Sequence, residues 1–403
     1  MNLWIDTGGL TRAETLFGLP PIERLRRSVG RLAAGDAVTL SGPGAAASSW
    51  VGARIESSNS PLGTRLRMAL AASTMRLVVL DGGNVVDPRL VRYLGQASQP
   101  GVAARGEGAQ RAVALCLDRS LADAIPANAT DLCAVADALL AAGRVEPLDE
   151  AAFPAYIDKL RRTLPYWIYA VCDADTRRKL ERQLFWDNYK GSTDLLTRYV
   201  YPPLVWPMVR VCTRFGIHPN TVTILSIILC FAAVPMWMQG QWFLGFVCAY
   251  LMSVLDSVDG KVARLTLTDS KIGNVLDHGL DQVHPPFWYY AWAIGLGAST
   301  MADPLYQAMV WFIVFYFADR IVLAVAKRRL KHALHSTTPL DERVRSIIAR
   351  RNITMTVMAF ALLIGQGVIG FWIVTAWQAL TFGWHTWRTL WLGFLTSKYR
   401  PQT

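Results

Sequence analysis

Four aspartates stand where the surrounding residues are apolar: Asp256 and Asp259 in Asp256-Ser-Val-Asp-Gly-Lys-Val-Ala-Arg264, then Asp277 and Asp281 in Gly273-Asn-Val-Leu-Asp-His-Gly-Leu-Asp281. A charge at membrane depth costs at least ~2.5–3.5 kcal/mol on insertion scales, so four of them need a compensating partner. Asp256 and Asp259 are three apart, and Asp277 and Asp281 four apart, so each pair shares one face of a helix. A turn between the two helices gathers all four. Such a cluster repels itself unless divalent cations neutralise it, and oxygen-only ligands favour hard ions, Mg²⁺ or Mn²⁺. The natural partner of Mg²⁺ is a diphosphate, whose remaining oxygens Lys261, Arg264 and Lys271 on the same turn can meet. Gly260 and Gly273 stand one turn from a carboxylate and leave room for a bulky ligand to approach the backbone. The competing use of intramembrane acids is a proton or ion relay in a transporter. A relay does not require glycines, an alanine and an arginine at fixed offsets.

The elements that must position these acids are membrane helices. From about residue 220, apolar runs near the ~20 residues needed to cross ~30 Å of hydrocarbon follow one another. They are about six: Thr221 to Gln239, Trp242 to Leu265, Val275 to Leu296, Leu305 to Ala326, Thr354 to Gly367 and Val368 to Phe394. The connectors Gly240-Gln241, Ser299 to Pro304 and Gln366-Gly367 carry no Lys or Arg, whereas Lys327 to Arg351 is crowded with them. The positive-inside rule makes that basic segment cytoplasmic, and with it the acidic turn and the N-terminal half. Ahead of the spans, Leu195 to Phe215 interleaves Leu, Val, Trp and Tyr with Arg198, Arg210 and Arg214. It reads as a linker or as an amphipathic segment lying in the membrane interface.

The first half differs. Runs of four to six apolar residues, Ala37 to Leu40, Arg76 to Leu80, Ala112 to Cys116 and Trp167 to Val171, alternate with helical patterns at Ile22 to Leu32 and Leu132 to Ala142. That alternation predicts an α/β domain without a membrane-spanning window. The expected division is residues 1–188 for this cytoplasmic domain, 189–218 for the interfacial segment and 219–403 for the membrane domain. No secretory signal opens the chain, so the expected location is the cytoplasmic membrane, multi-pass, with the site facing the cytoplasm. The chain has 403 residues, 52% hydrophobic and 18% charged, which excludes a disordered protein or a collagen. Its net charge of +11 suits nucleic acid or an anionic membrane by itself, and the spans assign it to the membrane. The six cysteines form no CxxC pair and read as reduced fillers.

The pattern Asp-x2-Asp-Gly-x2-Ala-Arg-x8-Gly-x3-Asp-x3-Asp resembles the signature of the CDP-alcohol phosphotransferases, with Asp256, Asp259, Gly260, Ala263, Arg264, Gly273, Asp277 and Asp281 filling every position. Gly216-Ile-His-Pro-Asn-Thr-Val-Thr223, with Asn220 and Thr223, looks like the family's Pro-Asn-x-x-Thr approach to the first span. The resemblance, over roughly residues 190 to 400, implies an all-α membrane domain of six transmembrane helices, a homodimer, and a CDP-linked donor meeting an alcohol acceptor, one of them a lipid. It implies that Asp256, Asp259 and Asp277 hold two metal ions and that Asp281 joins the metal site or acts as base. Asp256, Gly260, Ala263, Arg264, Gly273, Asn220 and Thr223 would line the CDP site. Arg351, in Arg350-Arg351-Asn352, stands where family members often bind a phosphate; a topogenic charge cluster explains it equally well.

The opening, Leu3-Trp-Ile-Asp-Thr-Gly-Gly-Leu-Thr-Arg12, is similar to a nucleotidyltransferase's strand and Gly-rich loop, with Gly8, Gly9 and Arg12 of that loop present. This implies a Rossmann-like domain whose loop amides cradle phosphate. Asp81 stands two residues before the place of a metal-binding aspartate, which Gly83 occupies, and Asp173-Ala-Asp175-Thr resembles the closing acidic element. The domain is either degenerate or a working cytidylyltransferase. The fused order resembles enzymes that make CDP-inositol and condense it with inositol phosphate. His278 and His284 read as hydrogen-bonded core residues, and Trp206, Trp242, Trp288, Trp384 and Trp387 as interface anchors.

Overall fold

The computed structural model describes residues 2–10, 14–29, 37–47, 50–106, 112–157, 160, 162–189, 194–268 and 271–395, and at 271, 272, 274–278, 280, 281 and 395 the backbone alone. The chain forms two compact units, one of Met1–Asp158, Arg162–Tyr189 and Leu265–Thr268, the other of Lys159–Arg161, Lys190–Arg264 and Asp269–Thr403.

The first unit runs β1 (Asn2–Asp6), α1 (Pro21–Val29), β2 (Val38–Ser41), β3 (Arg54–Glu56), α2 (Leu62–Ala72), β4 (Leu77–Asp81), β5 (Asn84–Val86) and α3 (Pro88–Gly95). It continues through β6 (Gly101–Arg105), β7 (Val113–Leu117), α4 (Leu132–Ala141), β8 (Glu146–Pro147), β9 (Tyr156–Ile157), β10 (Arg162–Thr163), β11 (Ile168–Ala170) and α5 (Ala174–Asp187). The main sheet has the order β3-β2-β1-β4-β7-β6-β8. Its central strands are buried on both faces, which is why β4 and β7 read as continuous apolar runs rather than alternating ones. One face, with Leu3, Ile5, Val78 and Leu80, packs on Leu25, Leu90 and Leu94 of α1 and α3. The other, with Trp4, Leu77 and Val79, packs on Leu66, Leu70, Val135 and Leu139 of α2 and α4. The α/β reading therefore holds as helices on both sides of a sheet. The sheet is mixed, however: β3, β2, β1 and β4 are parallel, while β7 runs antiparallel to β4. β7 follows β6 by an antiparallel pairing without a crossover helix.

The second unit is helical: α6 (Pro202–Arg214), α7 (Pro219–Met238), α8 (Trp242–Leu265), α9 (Lys271–Gly295), α10 (Pro304–Leu330), α11 (Pro339–Arg345), α12 (Arg351–Leu363) and α13 (Gly367–Leu390). Proline at the first turn starts α6, α7, α10 and α11, where its missing N–H costs nothing. Among the described residues four helices are long and apolar enough to cross a membrane: Pro219–Met238, Trp242–Leu265, Pro304–Leu330 and Gly367–Phe394. The expected third span is α9, 25 residues long with its acids in the first half. The expected fifth is α12, whose 13 residues reach only ~20 Å at 1.5 Å per residue, short of the hydrocarbon thickness.

The core of this unit gathers Trp237, Phe246, Trp288 and Trp292, edge-packed with ring centroids 5.2–5.5 Å from Trp237. Gly245 and Gly295 lie so close to Trp237 that a Cβ at either would collide with it. Trp288 is thus a core residue and not an interface anchor: it is 2% exposed and its Nε1 donates to Cys230 O at 3.0 Å. His284 is buried against the Trp288 ring, as a core histidine should be, while the side chain of His278 lies outside the described residues. All six cysteines are free.

Candidate functional site

Asp256 and Asp259 lie on one face of α8, and two other elements hold their carboxylates. The Thr223 hydroxyl of α7 donates to Asp259 Oδ2 at 2.6 Å, between two buried side chains. Arg351, the first residue of α12, places Nη2 2.7 Å from Asp256 Oδ2. Histidine and proline set the Thr223 end locally: His218 Nδ1 accepts the Asn220 amide and Pro219 occupies the first turn, so Thr223 falls one turn into α7. Arg264 brings its guanidinium beside Gly260, where an added Cβ would lie 3.2 Å from Nη1. Lys261 is buried at 4% exposure.

In sequence, α8 ends at Leu265 and α9 begins at Lys271. Asp277 and Asp281 lie on the first half of α9, and their side chains, with that of Lys271, are outside the described residues. Among the described residues no group of three His, Cys, Asp or Glu converges as a metal site. The donors of the described pair are those a hard divalent cation takes: both are carboxylates, and Thr223 orients one, while the Arg351 guanidinium occupies the other and competes with a cation for it. Asn220 on α7, Ala263 on α8 and Gly273 on α9 are each half-buried.

Several buried polar residues of this unit were not singled out from sequence. Asp194 is buried and accepts from the Thr197 amide (3.0 Å), the Thr197 hydroxyl (2.9 Å) and Asn352 Nδ2 (3.1 Å). Burial alone would raise its carboxyl, but these donors and the Arg350 charge hold it below the usual range. The Asp-x-x-Thr spacing is a capping signature and could have revealed it. Asp319 on α10 and His385 on α13 form a buried pair, Nδ1 to Oδ1 2.5 Å, and Arg388 pairs bidentately with Asp341 at 2.7 and 2.8 Å. Ionisable residues inside predicted spans were the available signal for Asp319 and His385.

The first unit has its own acidic place. Asp6 and Asp81 are register partners at the carboxyl ends of β1 and β4, where the strand order reverses and where α/β sheets bind ligands. Each makes the same turn: Asp6 Oδ2 accepts the Gly8 amide at 3.2 Å and Asp81 Oδ1 the Gly83 amide at 2.8 Å. Arg65 neutralises Asp6 at 2.6 Å. Burial pushes the Asp81 carboxyl up to about 6, against the Gly83 hydrogen bond and with help from Asp6 and Asp131. A Cβ on Gly9 would meet Asp81 Oδ1 at 2.8 Å, so a larger residue there would have to move the Asp81 carboxylate. Asp173, of the closing acidic element, caps α5, its two oxygens accepting from the amide and hydroxyl of Thr176 at 2.7 Å. Asp175 is exposed beside Arg178, and Arg12 lies outside the described residues.

Residues 216–389 match the family model described as CDP-alcohol phosphatidyltransferase. The chain is 31% identical over 162 residues to the phosphatidylinositol phosphate synthase of Mycobacteroides abscessus, covering 38% of this chain and 69% of that one. It is 26% identical over 171 residues to cholinephosphotransferase 1 of Rattus norvegicus, covering 39% of this chain and 42% of the relative. The chain spans less than half the length of the first curated relatives it matches. Among solved structures, the Mycobacterium tuberculosis phosphatidylinositol phosphate synthase with CDP-DAG bound aligns with a TM-score of 0.36 and 18% identity, over 47% of this chain and 94% of that one. By the family model, the abscessus relative and the acidic motif of α8 and α9, the chain belongs to the CDP-alcohol phosphatidyltransferase family.

Proposed function

We propose that this chain is a multi-pass membrane phosphotransferase that moves a substituted phosphate from a CDP-linked donor to an acceptor hydroxyl and releases CMP. The supporting observation is the pair of α8 carboxylates, Asp259 held by Thr223 and Asp256 by Arg351, inside the region matched to the family. The acceptor oxygen attacks the phosphorus next to the donor alcohol, the bond from that phosphorus to the CMP oxygen breaks, and CMP leaves with the electron pair. Asp281 takes the acceptor proton. Two divalent ions, Mg²⁺ or Mn²⁺, held by Asp256, Asp259 and Asp277, would supply charge neutralisation of the diphosphate. Asn220, Gly260, Ala263, Arg264 and Gly273 receive the CDP portion, and Lys261, Lys271 and Arg351 its phosphates or those of the acceptor. The names of the relatives, phosphatidylinositol phosphate synthase and cholinephosphotransferase, support a phospholipid product.

In this reading α7, α8, α9, α10, α12 and α13 are the six membrane helices, with the acidic site on the cytoplasmic side, and the protein is a homodimer. Residues 195–215 lie in the interface: α6 buries Pro202, Val205, Val209 and Cys212 on one face and exposes Leu204, Val211 and Phe215 on another. The first unit serves structure or regulation rather than nucleotide transfer, because Asp173 is spent on its own helix cap. Full-length protein in lipid nanodiscs, given CDP-choline or CDP-diacylglycerol with candidate alcohols, should release CMP only with Mg²⁺ or Mn²⁺. Full turnover in Asp281→Asn, or ion flux without CMP release from any donor, would overturn the reading. Pyrophosphate release from CTP and a polyol phosphate would reverse the assignment of the first unit.

A further inference from the structure

We infer that Asp194, Tyr201 and Asn352 are positioning residues that hold Arg351 against Asp256, coupling the segment ahead of α6 to the acidic site. The inference rests on the phosphotransferase reading for its functional meaning. Its geometry is separate.

Arg351 and Asn352 are the first two residues of α12. Arg351 reaches Asp256, whereas Asn352 makes a different set of contacts. Its Nδ2 donates to Asp194 Oδ1 at 3.1 Å and to Thr197 Oγ1 at 3.2 Å, and its Oδ1 accepts the Tyr201 hydroxyl at 3.3 Å. Three side chains ahead of α6 thus hold the residue that follows Arg351. Asp194, Tyr201 and Asn352 are all buried. In such surroundings hydrogen bonds strengthen one another, and a broken one leaves an orphaned polar group.

Stapling the two helices together does not require this network. Tyr250 of α8 and Thr356 of α12 already meet at 3.1 Å further along the same pair. What the Asp194 network adds is a fixed seat for the backbone that carries Arg351. Shift Asn352 by a fraction of an ångström, and the base of the Arg351 side chain shifts with it, since adjacent residues in a helical turn move together.

The test measures Mn²⁺ affinity of the full-length, donor-free protein by electron paramagnetic resonance of free Mn²⁺. Arg351→Gln removes a positive charge that competes for Asp256 and repels the incoming ion, and should tighten Mn²⁺ binding by roughly 3- to 10-fold. Tyr201→Phe and Asn352→Ser, by loosening Arg351, should tighten it in the same direction by about threefold, and should add nothing in the Arg351→Gln background. Thr356→Val, which cuts the other α8–α12 contact, should lower the melting temperature without tightening Mn²⁺ binding. Unchanged or weakened Mn²⁺ affinity in Tyr201→Phe and Asn352→Ser, or full additivity with Arg351→Gln, overturns the inference. Should the wild type neither bind Mn²⁺ nor release CMP, the phosphotransferase reading falls instead. The joint is then judged on melting temperatures, where additive losses for Tyr201→Phe and Arg351→Gln overturn it and non-additive losses sustain it.

Discussion

The hydroxyl of Thr223 and the carboxylate of Asp259 meet at 2.6 Å, so the first turn of α7 holds a carboxylate carried by α8. Thr223→Val keeps the shape of the side chain and removes the donor. CMP release should fall by roughly 10- to 100-fold, the usual loss when a group orienting a metal ligand is removed. Thr223→Ser should retain most of the rate. Equal rates in Val and Ser variants would separate Thr223 from the chemistry.

Divalent ions should also reveal themselves without turnover. A ligand that binds only the folded state stabilises it by about 2.7 kcal/mol at a hundredfold excess over Kd. The melting temperature of the wild type should therefore rise with Mn²⁺ and fall back with a chelator. In Asp256→Asn and Asp259→Asn the Mn²⁺-dependent rise should be lost, and a rise of wild-type size in both would place the metal elsewhere.

Asp81 gives the first unit a pH dependence whose sign follows from its raised carboxyl. Folded, it titrates at about 6 rather than 3.8, so between those values the native state binds more protons than the unfolded one. Stability is then lost as pH rises from about 4 to 6, and the loss persists above 6. Asp81→Asn keeps an oxygen for the Gly83 amide and removes the charge. It should stabilise the unit by about 1–3 kcal/mol at pH 7 and by little at pH 4, measured as the difference between melting curves of variant and wild type. A difference that does not change between pH 4 and 7 would refute this.

Arg388 and Asp341 form a buried bidentate pair, with Thr338 bonded to both. Arg388→Met leaves Asp341 charged and without its guanidinium, and should destabilise the second unit by about 3–5 kcal/mol. The double variant Arg388→Met with Asp341→Leu should recover much of that loss. Urea unfolding in detergent reads both, and a double variant worse than the single one would show that the pair stabilises in its own right.

What was legible in the sequence follows the range of the forces involved. Continuous apolar runs located β4 and β7, because strand segments buried on both faces favour apolar residues, as in Leu77 to Leu80 and Val113 to Leu117. The acidic motif was legible because acids in an apolar run have few structural uses. Trp288 was misread because composition puts tryptophan at interfaces, and only packing against Trp237 and Cys230 shows this one inside. Asp173 shows how one carboxylate type serves two uses, a helix cap and a metal ligand: in the structure it caps α5 through Thr176 three residues on. The Asp194 to Asn352 contact joins residues 158 apart, a separation that no local spacing encodes.

At the ends of β1 and β4 the amides of Gly8 and Gly83 already answer to carboxylates of their own chain. Each carboxylate is tethered two residues from the amide it engages, so it competes at an effective concentration that a dissolved phosphate does not reach. An anion arriving at this crevice must displace one that is built in, or come with a cation that draws Asp6 and Asp81 away. The amides of Gly8 and Gly83 are thus occupied from within the chain.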